Sequence, residues 1–174
     1  INNIKGVNSF NFLDIKFKIQ REVIAMNSKL FDVKYMDLNL ETNEKFETIN
    51  HLAQLAKDRL IDVDKYVEDV KRREAISTTG IGDGVAIPHA KSPWVNTPTV
   101  IVGKSEKGIE WESLDDEPVN MVFLIAVPDG EGNEHLKILQ ILAVSLMDDD
   151  FKAEIEKAND KKVIEELLLQ RTEM

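Results

Sequence analysis

The chain has 174 residues, with 22 Lys+Arg against 32 Asp+Glu, 3 His and no Cys. The length suits one ordinary domain with a core of its own, and 43% apolar with 31% charged residues is a globular balance rather than a disordered or fibrous one. A net charge of −10 disfavours nucleic acid and anionic membrane as partners; the lack of Cys removes disulfides, thiol nucleophiles, Fe–S clusters and Cys-based zinc sites; and the longest apolar run, Met121 to Val127, is too short to cross a bilayer.

Residues 1–25 differ in composition from the rest of the chain, with a charge balance of +2 against −12 for the remainder. They lack the apolar stretch and cleavage site of a signal peptide. Positions 1–28 therefore read as an N-terminal extension (a leader, an expression remnant or a linker), and 29–174 as the domain. Phe10, Phe12, Ile15, Phe17 and Ile19 suit an added strand.

Along the domain, Val33 to Leu40 alternates weakly and predicts a strand. Thr42 or Asn43 offers a cap for a helix whose apolar stripe is Phe46, Ile49, Ala53, Ala56 and Leu60. Asp62 or Asp64 caps the next helix, which stacks Tyr66, Val70 and Arg73 on one face, with Arg73 at its C-terminal end. The run Ser77 to Gly84 has no helical period, and its glycines predict a turn. Val85 to Ile87 is a short strand that Pro88 ends, fixing the direction of His89. Thr99 to Lys104 and Met121 to Val127 read as buried strands, and Asp129 to Asn133 as a loop. A helix from Glu134 to Met147 is apolar nearly all round and so predicted to be deeply packed. Two more helices complete the chain, capped by the Asp148–Asp150 acidic run and by Asp160; the first buries Phe151 and Ile155, the second Val163, Ile164, Leu167 and Leu168. Strands and helices intermix, so the fold class is α/β: one domain, a mixed sheet with helices on both faces.

Chemistry must come from oxygen and imidazole groups. His89 follows a rigid glycine-rich turn and a proline, where an imidazole can be held accessible as a nucleophile; a loop histidine bonded to backbone is the plainer alternative. His135 opens the long apolar helix on the stripe of Leu139, Leu142 and Leu146, a setting that suits either a core histidine or a donor at an anion site in the first turn. Arg73 is either a helix-end arginine or a forked donor to phosphate oxygens. His51 reads as a boundary residue. His51, His89 and His135 match a three-histidine metal set in number only, because none has a close partner at ligand spacing. The GIGDG turn lacks the Lys-Ser/Thr ending of a P-loop.

Taken together, two stretches resemble a known family. Arg73 to Val95 (REAISTTGIGDGVAIPHAKSPWV) and Gly108 to Ile155, which contains NEHLKILQ, are similar in wording and order to the IIA proteins of the bacterial phosphoenolpyruvate-dependent sugar phosphotransferase system, fructose/mannitol type. The likeness spans roughly Lys29 to Leu169. It implies a mixed sheet flanked by helices and a phosphotransferase. His89 would accept a phosphoryl group from phospho-HPr and pass it to a IIB component, with the IIC permease served indirectly. It also implies that His135 lies beside His89, that Arg73 lines the site, and that Thr79 and Gly80 support it from behind. No cofactor or metal, no nucleic acid, no membrane insertion and a cytoplasmic location are expected. The alternative within the same resemblance is a nitrogen-type regulatory protein that acts through phosphorylation-dependent partner binding.

Overall fold

A computed structural model describes residues 15–18, 21, 29–130 and 134–172, without the side chains at positions 134, 135, 138 and 139. Phe10, Phe12 and Ile19 lie outside the described residues. Ile15 and Phe17 do not belong to a strand: both sit in a helical stretch and are exposed.

Among the described residues the sheet is mixed and has six strands: β1 (Met36–Asp37), β2 (Gly80–Gly82), β3 (Val85–Ala86), β4 (His89–Ser92), β5 (Thr99–Ile109) and β6 (Val119–Pro128). Its order is β1-β5-β6-β3-β2, with β4 also paired to β6. The antiparallel β5–β6 pair is the spine. Strands β3 and β4 run parallel to β6 along the same side, Val85 opposite Met121 and His89 opposite Ile125, so the register passes unbroken across Ile87 and Pro88. Pro88 does interrupt the strand, as its missing amide hydrogen demands. Its carbonyl nevertheless accepts from the Ile125 amide at 2.9 Å, and the strand resumes with His89 instead of ending before it.

Helices α1 (Lys45–Leu55) and α2 (Val63–Glu74) cover one face, and α3 (Glu134–Ser145), α4 (Asp149–Lys157) and α5 (Lys161–Thr172) the other. The pleat divides β6 between them: Val122, Leu124 and Ala126 pack with Ile49, Leu52, Tyr66 and Val70, whereas Phe123, Ile125 and Val127 pack with Leu142, Phe151 and Ile164. The predicted class, a single α/β domain with helices on both faces, is the observed one.

Several local expectations change. The Val33–Leu40 strand shrinks to β1, because the Asp32 carboxylate accepts from the Lys34 amide and caps a 3-10 turn over Val33–Tyr35, while Asp37 accepts from the Asn39 amide and turns the chain away. Glu44 rather than Thr42 or Asn43 caps α1, its two oxygens accepting from the Phe46 and Glu47 amides. Asp62, Asp148 and Asp160 cap as expected. Helix α3 is not buried all round: Val144 is 69% exposed, and Met147 just beyond its end 71%. In α5, Ile164 and Leu168 are buried, but Val163 is exposed and Leu167 only half-buried. A sheet has two faces and each helix here meets only one, so an apolar residue on the outer side of a helix finds nothing to cover it. Among the described residues, no helix is long and apolar enough to cross a membrane.

Candidate functional site

The site grows out of the β2–β3 hairpin. Three successive residues at its tip, Gly82, Asp83 and Gly84, have positive φ (96°, 52° and 73°). Glycine suits such a backbone at little steric cost. The Asp115 carboxylate steadies the tip by accepting from the Asp83 amide at 2.9 Å. Gly80 is required for a different reason: a Cβ there would lie 2.9 Å from the Ser113 Cα and 2.9 Å from the Trp111 ring.

From the hairpin the chain passes through Ile87 and Pro88 to His89. In β4 the side chains alternate, with Ala90 buried toward α2 and His89 and Lys91 turned to the opposite face. There, Ile87, His89, Lys91 and Ile125 from the sheet and Leu136 and Gln140 from α3 line a cleft of about 270 Å³. A wider groove of about 600 Å³ on the outer side of α3, between Val144, Asp148 and Arg171, has no imidazole among its described lining residues.

The His89 ring is half-buried, and its Nδ1 lies 2.8 Å from the Ile87 carbonyl oxygen. A carbonyl oxygen can only accept, so Nδ1 is the protonated nitrogen. In the neutral ring the lone pair is therefore on Nε2, a tautomer set by backbone alone. The plainer alternative of a histidine bonded to backbone is thus realised, and the bond leaves the Nε2 lone pair available.

His135 is the second residue of α3, whose first turn also supplies Leu136 to the cleft. Its side chain lies outside the described residues. Arg73 is in the last turn of α2, above the buried Tyr66 and Val70, and its Nη1 donates to the Ser77 carbonyl at 3.1 Å. Among the described residues it does not line the cleft. His51 stays apart, on α1 across the sheet, with its Nε2 2.7 Å from an Asp37 carboxylate oxygen.

Thr79 is buried, its amide and hydroxyl both donating to the Glu74 carboxylate, at 3.0 and 2.6 Å. Tyr66 donates its hydroxyl to the Ile125 carbonyl at 3.0 Å, directly behind the strand position opposite His89. Burial pushes the Tyr66 hydroxyl pKa up, and the Asp69 charge adds to this, so Tyr66 keeps its proton.

Lys91 is a cleft residue that the sequence alone does not single out. It shares the cleft with His89, and its Nζ is only loosely held, 3.9 Å from Asp129. The signal is the two-residue step from His89, visible only once β4 is recognised as a strand. Chemically, the described residues of the cleft offer an imidazole nitrogen with a lone pair, an ammonium group and largely apolar walls.

Comparison with known proteins gives a consistent picture. Residues 29–171 match the family described as phosphoenolpyruvate-dependent sugar phosphotransferase system, EIIA 2. The fructose-specific EIIA component of Haloferax volcanii is 38% identical over 72% of this chain and 82% of its own length. The nitrogen regulatory protein of Bradyrhizobium diazoefficiens is 34% identical over 74% of this chain and 85% of its own. The fructose-specific EIIABC component of Bacillus subtilis is 36% identical over 76% of this chain, but the match spans only 21% of that protein. In fold the chain resembles nitrogen regulatory protein IIA-Ntr from Neisseria meningitidis, with a TM-score of 0.75 and 22% identity over 81% of this chain and 97% of that one. It also resembles a chain from the structure of the complex of enzyme IIA mannitol with phosphorylated enzyme IIB mannitol from Escherichia coli, with a TM-score of 0.66 and 20% identity over 79% of this chain and 95% of that one.

Proposed function

Since the chain belongs to the EIIA type-2 family of the phosphoenolpyruvate-dependent sugar phosphotransferase system, we propose that it is a phosphocarrier: it takes a phosphoryl group from phospho-HPr on His89 and passes it to a IIB component of fructose/mannitol type. The observation that carries this reading is the Nδ1–H bond from His89 to the Ile87 carbonyl. It leaves Nε2 as the attacking atom on a ring that lines the cleft.

The transfer is an in-line displacement at phosphorus. The bond from phosphorus to the donor nitrogen breaks as the Nε2–phosphorus bond forms, and Nδ1 keeps its proton. The product ring is then cationic, and the Ile87 carbonyl oxygen stabilises that form by accepting from it. A cationic imidazole is also the better leaving group, so the same bond serves the onward step to IIB. Phosphoryl transfer needs positioning and charge stabilisation more than covalent help. Lys91 lines the cleft and can donate to the phosphoryl oxygens. The roles of further donors for His135, at the start of α3, and Arg73, in the last turn of α2, are carried by the family resemblance. Residues 29–174 form the phosphoryl-carrying unit, with 1–28 as an extension to it.

The test is the intact mass after incubation with phosphoenolpyruvate, enzyme I and HPr. We expect one acid-labile phosphoryl group, placed on Nε2 by NMR, absent without HPr and absent in His89→Ala. In His135→Ala the rate falls and the fold stays. Undiminished phosphorylation of His89→Ala would end this reading. A regulatory role is the second reading, favoured by the 34% identity to the Bradyrhizobium nitrogen regulatory protein. Transfer from the phosphorylated chain to a fructose-type IIB supports uptake; phosphorylation without such transfer supports regulation.

A further inference from the structure

Behind the cleft, on the other face of the sheet, lies a set of buried charges that the phosphoryl reaction does not use. Glu74 is the last residue of α2 and is 4% exposed. Its carboxylate takes both donors of Thr79 and faces the Lys45 Nζ at 3.7 Å. Lys45 is itself 8% exposed and donates to the Trp111 carbonyl at 3.2 Å. Such a pair contributes little net stability against an apolar replacement, because desolvation offsets the attraction. Its worth must be sought in what it holds in place.

What it holds is Thr79. The Thr79 carbonyl accepts from the Ile87 amide at 3.0 Å, and the Ile87 carbonyl accepts from His89 Nδ1 at 2.8 Å. A continuous series of bonds therefore runs from Lys45 through Glu74, Thr79 and Ile87 to the His89 ring. Ile87 lies in the gap between β3 and β4, next to a proline, and its amide is tied to Thr79. Thr79 in turn stands at the entrance to a three-residue strand. With so little ladder on either side, the Glu74 carboxylate fixes where the Thr79 peptide sits.

We propose that Glu74 is a positioning residue for His89, acting through Thr79 and the Ile87 peptide to keep the Ile87 carbonyl on Nδ1 and so the lone pair on Nε2. The proposal rests on His89 being the phosphoryl acceptor, but its first readout does not. Thr79→Val keeps the shape and amide of Thr79 and removes the hydroxyl that meets Glu74. Thr79→Ser restores that hydroxyl, and Glu74→Gln replaces the carboxylate at constant size.

The experiment is a two-bond 1H–15N correlation spectrum of the histidine rings in the full chain, alongside the rate of phosphoryl acceptance from phospho-HPr. In the wild type we expect His89 to be the Nδ1–H tautomer. In Thr79→Val and Glu74→Gln we expect a mixture of tautomers, with kcat lowered about ten-fold and KM for phospho-HPr unchanged; Thr79→Ser returns both to wild-type values. A folded Thr79→Val or Glu74→Gln protein with the wild-type His89 tautomer overturns the proposal, as does a wild-type ring protonated on Nε2. If the wild type takes no phosphoryl group, the carrier reading fails while the tautomer spectra still decide this one.

Discussion

The two faces of the sheet are built on different principles. Toward α1 and α2, the interior contains a phenol, a carboxylate, an ammonium and a hydroxyl, each tied to a partner: Tyr66 to Ile125, Glu74 to Thr79, and Lys45 to Trp111. Toward α3, α4 and α5 the buried side chains are almost wholly apolar, and the packing opens beside His89 into a cleft. The closed face fixes backbone, and the open face exposes one side chain to a visiting group. His89 belongs to both, since its ring points to the open side while its strand is braced from the closed one. A carrier of the proposed kind, which must accept a group and release it again, benefits from this division. On the proposed reading rigidity is placed where it orients His89, and among the described residues of the cleft the ion pair is the loose 3.9 Å contact of Lys91 with Asp129.

The sharpest break between the faces is His89→Ala, which removes the proposed nucleophile from the open face. Phosphoryl acceptance should fall to background, with urea unfolding close to wild type because the ring is only half-buried. Lys45→Met does the opposite. It leaves the Glu74 carboxylate buried without a cation and the Trp111 carbonyl without its donor, a change of about 3–5 kcal/mol in unfolding free energy. The loss of the Glu112 contact contributes little, since that side chain is 81% exposed. A Lys45→Met protein as stable as wild type in urea would mean that the closed face does not depend on its charges.

Gly80→Ala is smaller and more local. The added methyl meets backbone at Ser113 as well as the Trp111 ring, so it cannot be relieved by turning a side chain alone. We expect about 1–3 kcal/mol of destabilisation, as for other overpacked sites, measured by the urea midpoint. If β2 simply shifts to make room at no cost, the midpoint stays put and the tight approach is incidental.

Much of this was legible in the chain, for physical reasons that differ by element. Residues Met121 to Val127 bury both faces of a central strand, which leaves a continuous apolar run that periodicity reads directly. The Asp caps were readable because a short carboxylate reaches the amides just ahead of it. The resumption of the strand at His89 was hidden, because Pro88 reads as a stop when only its missing hydrogen is considered. Its carbonyl still serves the ladder. The same feature conceals Lys91, whose place beside His89 depends on the strand continuing. Glu74 and Lys45 were invisible for a different reason: in sequence each is one more charge on a helix end, and burial comes from the loop and the Trp111 strand exit folding over them. The outer side of α3 misled in the opposite sense, since Val144 is apolar but exposed.

The smallest expected effect concerns acid, and it separates the exposed carboxylates from the buried face. Backbone amides of Asp83 and Glu117 hold the Asp115 carboxyl below its ordinary pKa. Asp37 is partly buried, which pushes its pKa up, but the His51 contact and the Asn39 amide outweigh this and leave it lowered as well. A carboxylate whose folded pKa is depressed stabilises the fold fully above its unfolded value, about 4, and loses that contribution as pH falls through the folded value. Stability should therefore decline on acidification from about pH 5 to pH 3. Asp115 is fully exposed, so its part is a shallow slope rather than a cliff. Asp115→Asn keeps an acceptor for the Asp83 amide but does not titrate, and the urea midpoint of that variant should fall less steeply over this range. An identical slope in the variant would place the acid sensitivity elsewhere and remove Asp115 from the groups that hold the hairpin leading to His89.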